Sequence, residues 1–297
     1  MAKKSTSKTN VFMSAKSDVI FKLLFGNELN KDLLIKFLMA VLKLPLNEYS
    51  TIEISDPQAK RKYKGDKLAI LDIKVKTKTG NLINIEIQVQ VTPEMRERIV
   101  FYNAKMMAEQ LDSGDEYNKI KKTISIVITG ETFIRSHKKY HDRFILYSPE
   151  TKTEFTDVVE IHTLELPKLP TESDGTDLWD WLEFINADSE EELAVLAQKR
   201  PQMKNPVDEL LKLNQDSYAR TLYEAREKQH RDNMSRERKA RMEGKQEGIE
   251  EGMEKGIEKG RQEGMQDVAR SLLKINLPIE NIVATTGLTI EEIKKLQ

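Results

Sequence analysis

Residues 68–75, LAILDIKV, and residues 82–91, LINIEIQVQV, decide the fold of this chain. Both stretches are rich in β-branched residues, and the polar segment KTKTGN at 76–81 joins them, so they predict two strands of a hairpin. Asp72 lies in the first predicted strand, and Glu86 and Gln88 lie in the second. Acidic side chains are rarely buried in apolar strands unless they are paired. The hairpin is therefore the first place to look for a functional site.

The spacing of the acidic residues predicts that they meet. An antiparallel hairpin that turns near residues 79–80 places Asp72 opposite Glu86 or one of its neighbours. Because side chains alternate across a strand, Gln88 shares a face with Glu86. Two carboxylates at this distance repel each other unless a cation neutralises them.

This arrangement predicts a divalent metal site. Mg²⁺ and Mn²⁺ prefer carboxylate and carbonyl oxygens, so the predicted ligands are Asp72, Glu86 and the main-chain carbonyl of Ile87. In the alternative, Asp72 pairs with Lys74 or Lys67 within the strand, and Glu86 faces solvent.

The order of Asp72, a hairpin-length gap, Glu86 and Gln88 resembles the core of the PD-(D/E)XK nucleases, in which a lysine usually stands in the place of Gln88. Further segments resemble one branch of them, the recombination-promoting nuclease family, also described as PD-(D/E)XK family transposases. Over most of residues 17–265, the matching segments are DVIFKLLFG at 18–26, LDIKV at 71–75, NIEIQ at 84–88, RIVFY at 98–102, QLDSG at 110–114 with Tyr117, LELPK at 164–168, and the Glu-Gly repeats after Met242.

The resemblance implies an α/β fold, in which a PD-(D/E)XK restriction-endonuclease-like core, a mixed sheet flanked by helices, precedes a helical C-terminal region. It implies a DNA endonuclease linked to recombination or transposition that uses Mg²⁺ or Mn²⁺, with Asp72, Glu86 and Gln88 as catalytic residues. An amide cannot act as a base, so Gln88 can only orient the attacking water. The alternative is a catalytically weak or silent nuclease fold that binds DNA or a protein partner.

Two pairs of residues spaced by four flank the predicted site. Asp18 and Lys22 lie one helical turn apart, and they either reach the site or form a helix-stabilising ion pair. Arg98 and Tyr102 lie on a predicted helix after the second strand, from which they either reach a scissile phosphate or turn away. In the second case Arg98 pairs with Glu94, and Tyr102 packs in the core.

Charge is unevenly divided along the chain. Residues 1–147 contain 26 Lys or Arg against 17 Asp or Glu, whereas residues 148–297 contain 22 against 32. A basic half that contains the predicted site suits a polyanion, because cationic contacts release counterions from nucleic acid. The densest basic cluster is Lys60, Arg61, Lys62 and Lys64. We expect it either to bind DNA or to form a solvated loop near an acidic partner.

The composition limits the chemistry and the compartment. The chain has 297 residues and no cysteine, which excludes disulfides, cysteine nucleophiles and thiolate metal sites, and is typical of a reducing cytoplasm. His137 and His141, four apart among lysines, favour a surface feature over a metal site. The N-terminus is polar and no long apolar run occurs, so we expect no export signal, no membrane partner and a cytoplasmic protein.

The periodicity of apolar residues predicts helices, then strands, a helix and further strands, which is the α/β order of a nuclease core. We expect a long solvent-exposed helix over residues 208–241. The predicted segments are a disordered lead at 1–16, a nuclease-like domain at 17–185, a charged helical region at 186–243, a glycine-spaced helix or tether at 244–265, and a small helical unit at 266–297.

Six glycines recur at every fourth residue from Gly244 to Gly264. Each costs about 1 kcal/mol relative to alanine in a helix, so roughly 6 kcal/mol must be offset. Apolar residues follow four of these glycines, which favours a seam that a second helix can approach closely. We therefore expect a homo-oligomer through the C-terminal helical region, with a flexible tether as the alternative. The apolar residues are Ile249, Met253, Ile257 and Met265.

The last segment predicts two short helices, at 279–286 and 290–296. Thr289 and Glu292 form a capping-box pattern at the start of the second. The pair resembles a helix-turn-helix, but Glu291 and Glu292 stand where a recognition helix would face phosphates. Packing or dimerisation is therefore favoured over DNA recognition.

Overall fold

The structure is a computed structural model that describes residues 11–55 and 73–296. The chain divides into two compact units, Met1–Arg226 and Glu227–Gln297. Within the described ranges, no helix is both long and apolar enough to cross a bilayer.

The first unit is built on one mixed sheet. Its strands are β1 (Glu53–Ser55), β2 (Ile73–Lys76), β3 (Leu82–Gln88), β4 (Thr123–Thr129), β5 (His141–Ser148) and β6 (Thr153–Glu165). The strand order is β1-β2-β3-β4-β6-β5. The central strands β3, β4 and β6 are parallel, whereas the β1–β2, β2–β3 and β5–β6 pairs are antiparallel.

Helices cover both faces of this sheet. The α-helices described across the two units are α1 (Asp18–Phe25), α2 (Lys31–Val41), α3 (Met95–Ala108), α4 (Asp177–Asn186), α5 (Glu190–Lys199), α6 (Lys204–Gln215), α7 (Ser217–Lys274), α8 (Ile279–Thr286) and α9 (Ile290–Lys294). Helices α1, α2 and α4 pack on one face of the sheet, and α3 packs on the other. The predicted mixed sheet flanked by helices is confirmed.

The two faces of β3 have different environments because successive side chains alternate. The isoleucines 83, 85 and 87 point into the main core, the larger buried cluster beneath α1, α2 and α4. That core contains a group of aromatic rings with centroids 4.7 to 6.3 Å apart. Trp181 of α4 belongs to this group and anchors its helix on the main core. Asn84 and Glu86 point to the opposite face, beneath α3.

The β2–β3 hairpin has the predicted antiparallel arrangement. Ile73 pairs with Ile85, and Lys76 pairs with Leu82. In the connecting turn, Gly80 has a φ of 95°, a left-handed conformation that glycine adopts without steric cost. The glycine in the turn is therefore consistent with the tight connection between the two antiparallel strands.

Glu48 holds this turn from outside the hairpin. Its Oε2 accepts hydrogen bonds from Thr77 Oγ1 at 2.7 Å, Thr79 Oγ1 at 2.6 Å and Asn81 Nδ2 at 3.1 Å. Burial raises the pKa of Glu48, but the hydrogen bonds from Thr79, Thr77 and Asn81 outweigh it, so the pKa lies below its ordinary value of 4.5. The ionised carboxylate is thus the form that the folded hairpin prefers.

The compact first unit extends beyond residue 185, the predicted end of the nuclease-like domain. Helices α5 and α6 belong to it because they contribute buried side chains to the main core, and these are Leu193, Leu196, Val207 and Leu210. The predicted long helix over residues 208–241 is helical except for a break at Asp216. Asp216 has an extended backbone, and its Oδ1 accepts a hydrogen bond from Ala219 N at 2.7 Å. An aspartate in this role caps a new helix, so α6 ends and α7 begins here.

The second unit contains most of α7, followed by α8 and α9. Ala269, Ile282, Leu288 and Ile293 form a small buried cluster between these helices. The predicted capping box is confirmed: Thr289 Oγ1 accepts from the main-chain N–H of Glu292, whose carboxylate accepts from Thr289 N–H. Residues 244–264 lie inside α7, so the glycine-spaced segment is helical.

Replacing Glu48 with glutamine tests the hairpin clamp. The amide presents N–H groups to donors that need an acceptor, so Glu48→Gln should lower the free energy of unfolding by about 1.5 to 3 kcal/mol at pH 7. The pKa of Glu48 is lowered by folding, so its contribution is complete above about pH 4.5 and is lost as pH falls through the lowered pKa. Denaturant titration at several pH values measures both effects.

Glu53→Gln is the matched control, because Glu53 is an exposed glutamate on the neighbouring strand β1. It should change the free energy of unfolding by less than about 0.5 kcal/mol. Equal effects of the two substitutions would show that Glu48 does not hold the turn.

Candidate active site

Glu86 lies at the centre of the candidate site. It sits on β3 opposite Val127 of β4, and only 7% of it is exposed. Asn84 Nδ2 donates a hydrogen bond to Glu86 Oε1 at 3.0 Å. On α3, the guanidinium Nη2 of Arg98 lies 3.9 Å from Glu86 Oε2. An amide and a cation from two different elements thus face one buried carboxylate.

The charge of Glu86 is incompletely balanced. Burial raises the pKa of Glu86 above its ordinary value of 4.5, although the charges of Arg98 and Lys74 and hydrogen bonds with Asn84 and Gln88 act to lower it. Lys74 lies on β2 opposite Asn84, so it shares this face of the sheet. Because the net shift is upward, the carboxylate loses more hydration than its neighbours replace. A bound cation would restore that balance.

The main chain at the end of β3 supplies a further oxygen. Gln88 O accepts a hydrogen bond from Gly130 N at 3.0 Å, on the β4 side of the strand. Carbonyls alternate along a strand, so the carbonyl of Ile87 points to the other side, towards β2. A side chain at Gly130 would not fit, because its Cβ would lie 2.7 Å from Val89 O. The close approach of β4 therefore fixes the backbone that carries the Ile87 carbonyl.

The structure places Arg98 beside the site and leaves Tyr102 exposed on the same helix. Arg98 contacts Glu86, and its link to Glu94 is the main-chain hydrogen bond from Arg98 N to Glu94 O. Tyr102 is 48% exposed, so it is not part of the core. Its ring packs edge-on against Phe101, with centroids 5.5 Å apart.

Asp18 and Lys22 on α1 have different surroundings. The carboxylate of Asp18 accepts hydrogen bonds from Arg226 Nε and from the N–H of Val19, each at 2.8 Å. Lys22 lies at the C-terminal end of α1, where a Cβ at Gly26 would be 3.4 Å from Lys22 Cγ and 3.6 Å from Ile73 Cγ1. The stem of Lys22 is therefore close to the residue that follows Asp72 in the sequence.

Several predicted site residues lie outside the described residues, namely Asp72 and the basic cluster Lys60, Arg61, Lys62 and Lys64. Within residues 11–55 and 73–296, no group of three or more His, Asp or Glu side chains could hold a metal ion. The described part of the predicted ligand set consists of Glu86 and the Ile87 carbonyl. Both are hard oxygen donors, and the unbalanced charge of Glu86 fits a divalent cation.

His137 and His141 have separate partners. His137 Nε2 lies 2.8 Å from Asp142 Oδ2, and His141 Nε2 lies 2.8 Å from His162 Nδ1. Burial, together with His162 and Lys43, lowers the pKa of His141 to about 4. His141 is therefore a neutral ring that packs beside His162.

Asn103 supports the site without having been predicted. This residue on α3 is buried, and its Nδ2 donates to Ser125 Oγ at 2.9 Å and to Thr123 O at 3.2 Å. The bonds hold α3 on β4 and so keep Arg98 next to Glu86. The sequence does contain a sign of this role: Asn103 follows Met95 and Ile99 at spacings of four residues, so the three side chains share the buried face of α3.

Comparison with known families adds one finding. A family profile described as PD-(D/E)XK nuclease family transposase matches residues 15–240. The chain belongs to this family. No curated protein and no solved structure matches the chain. Membership in the PD-(D/E)XK nuclease transposase family confirms the resemblance seen in the sequence and indicates a nuclease or transposase-like function, for which DNA is the implied substrate.

Glu160, a second buried glutamate, shows the opposite balance. This residue on β6 accepts hydrogen bonds from His162 Nε2 at 2.7 Å, Arg143 Nη2 at 2.9 Å and Lys122 Nζ at 3.2 Å. Burial raises the pKa of Glu160, but these donors outweigh burial and hold it well below its ordinary value. Glu160 is thus a structural carboxylate with its charge satisfied.

The contrast predicts opposite effects of the same substitution. Folding raises the pKa of Glu86. Ionisation of Glu86 therefore lowers the stability of the folded state as pH rises above the ordinary pKa of 4.5. At pH 7 with EDTA, Glu86→Gln should raise the unfolding temperature. Glu160→Gln removes a satisfied charge and should cost on the order of 2 kcal/mol. Thermal unfolding of the three proteins, prepared identically, measures the difference.

If Glu86→Gln were as destabilising as Glu160→Gln, the charge of Glu86 would be fully balanced by the protein. The physical argument for a cation at this position would then fail.

Proposed function

We propose that this protein is a metal-dependent DNA endonuclease that hydrolyses phosphodiester bonds with Mg²⁺ or Mn²⁺, in recombination or mobile-element activity. The observation that carries the proposal is Glu86, a buried carboxylate with incompletely balanced charge beside Arg98, in a chain of a nuclease family. The absence of cysteine favours the cytoplasm as the compartment in which it acts.

Asp72 completes the proposed ligand set. It directly precedes Ile73, and the partner of Ile73 is Ile85, which directly precedes Glu86. One further step of this antiparallel register would therefore set Asp72 opposite Glu86. The Ile87 carbonyl is the third proposed ligand. A divalent cation held by these oxygens would polarise the phosphate and make water a better nucleophile.

Gln88 and Arg98 have proposed roles around the reacting phosphate. Gln88 cannot accept a proton in the working pH range, so its amide orients water by hydrogen bonds. Arg98 is partly exposed, and its planar guanidinium can hold a phosphate oxygen while one nitrogen remains beside Glu86. Lys22 and Asp18 are proposed accessory residues on α1.

The basic cluster Lys60, Arg61, Lys62 and Lys64 is proposed to bind the DNA backbone. Its four cations directly precede the predicted Asp72 strand, and phosphate contacts by lysine and arginine supply affinity without sequence preference.

Nicking of supercoiled plasmid tests the proposed activity. Purified full-length protein should nick with Mg²⁺ or Mn²⁺ and not with EDTA. Asp72→Ala and Glu86→Ala should each lower the rate by about 100-fold or more, because each removes a ligand of the cation that stabilises the reacting phosphate. Glu109→Ala, an exposed glutamate at the end of α3, is the control and should leave the rate unchanged.

Nicking that survives both ligand substitutions would place the activity elsewhere or in a contaminant. Nicking that is absent from the wild type would favour the second candidate, a silent nuclease fold that binds DNA or a protein. In that case, Mn²⁺ that still raises the unfolding temperature of the wild type but not of Glu86→Ala would show an assembled metal site without catalysis.

We also propose that the protein self-associates through the glycine seam, defined as residues 244–264 of α7. In the described structure, no atom lies within 4 Å of a Cβ built on any of its six glycines, other than those of the helix's own neighbouring backbone. Ile249, Met253 and Ile257 beside the seam are exposed. A four-residue repeat advances about 40° per step around a 3.6-residue helix, so two copies should cross with a right-handed angle.

Alanine substitution separates helix stability from association. The double substitution Gly252→Ala and Gly256→Ala should raise helix stability by about 1 kcal/mol per site, yet weaken self-association because the added methyl groups keep the partner helix away. Sedimentation equilibrium measures association, and circular dichroism measures helicity.

The matched control is Glu254→Ala with Glu258→Ala, two residues further along each repeat. It should leave the association constant unchanged. If Gly252→Ala and Gly256→Ala also leave it unchanged, the seam does not mediate assembly.

A further inference from the structure

Helix α3 forms a wall beside the candidate site. Ile99 clusters with Val127 of β4, and Asn103 bonds to Ser125 of the same strand. Arg98 and Tyr102 each precede one of these residues by one position, so they project about 100° further round the helix. Since Arg98 reaches Glu86, this side of α3 faces β3. Tyr102 lies one turn beyond Arg98 on the same side.

An aromatic pair is exposed on this wall. Tyr102 is 48% exposed and Phe101 is 63% exposed, and their rings pack against each other edge-on. The two adjoining rings offer a continuous apolar surface that a flat ligand could bury. The pair adjoins the candidate site through Arg98.

The charge around the aromatic pair selects the kind of partner. Lys74 lies on the same face of the sheet as Glu86, opposite Asn84, which lies two residues before Glu86 on β3. Arg98 lies one turn before Tyr102, and Lys105 lies one turn after Phe101 on α3. Cations interleaved with exposed aromatic rings are the arrangement that binds single-stranded nucleic acid, in which backbone phosphates meet the cations and bases stack on the rings.

We propose that Arg98, Phe101, Tyr102 and Lys74 form a stacking platform for an unpaired base next to the scissile phosphate. In a continuous duplex both faces of each base are covered by its neighbours, so a side chain can stack only on a base that is unpaired or terminal. The substrate class is therefore DNA with single-stranded character, such as a flap, a splayed junction or an open end. This inference rests on the proposed nuclease function and names its substrate.

Binding without cleavage tests the platform. Fluorescence anisotropy in EDTA should show that full-length protein binds a single strand and a flapped duplex about tenfold more tightly than a continuous duplex of the same sequence. Tyr102→Leu should remove about tenfold of the affinity for the single strand, whereas Tyr102→Phe, which keeps the ring, should retain it. A 2-aminopurine base in the strand should lose fluorescence on binding the wild type, and less on binding Tyr102→Leu.

Tyr147→Leu is the matched control. Tyr147 is 49% exposed, as Tyr102 is, but it lies on β5, at the far edge of the sheet from β3. This substitution should leave both affinities unchanged. Unfolding temperatures of all variants would show whether a loss of binding reflects a loss of fold.

Three results would overturn the proposal: equal affinity for single strand and duplex, no effect of Tyr102→Leu, or an oligomer that Tyr102→Leu converts to a monomer in sedimentation. The last would assign the aromatic pair to a protein contact. The outcome is separate from the activity test, because a wild type that binds single strands as expected but never nicks would retain the platform and reject only the nuclease.

Discussion

The carboxylate of Glu86, buried between β3 and α3 without full charge compensation, is the constraint around which the candidate site is arranged. Glu86 needs a helix above it that supplies a cation, and α3 supplies Arg98. The helix in turn needs an anchor, which Asn103 provides through Ser125 and the main chain of Thr123. Glu160 shows that this fold can satisfy a buried glutamate when it places three donors around it. The imbalance at Glu86 is therefore a property of that position.

The same strand must serve the core and the site. Ile85 lies in the main core and Glu86 lies beneath α3, so a shift of one residue would exchange them. The hairpin turn opposes that shift, because the left-handed position at Gly80 disfavours other residues and Glu48 accepts hydrogen bonds from three donors of the turn. Glu48, which precedes β1 in the sequence, thus keeps the β2–β3 register that sets the geometry of the site.

Local sequence patterns predict the features that are formed by residues close together in the sequence. The strands around residues 73–88, their antiparallel pairing and the capping box at Thr289 follow from alternation, turn residues and spacing. The contact of Arg98 with Glu86 does not follow from local patterns, because it depends on where α3 packs on the sheet. The burial of Asn103 and the close approach at Gly130 depend on β4, whose distance in sequence hides them.

The end of the compact first unit was harder to predict for the opposite reason. Helices α5 and α6 are highly charged on their outer faces, and this charge outweighed the narrower apolar stripe that packs Leu193 and Leu210 into the main core. The break at Asp216 is a single capping interaction between two helix-forming segments. A predictor that averages over a window of residues passes over such a feature.

The glycine seam gives α7 an uneven thermodynamic profile. The cluster around Ala269 and Ile282 can nucleate helix at its C-terminal side, but propagation towards residue 244 must pass six positions of low helix propensity with no tertiary contacts at their Cα atoms beyond the helix itself. Amide hydrogens in this segment should therefore exchange by local opening long before those of the buried strands. If the glycine seam binds a second copy as proposed, helical order in this segment would rise with protein concentration.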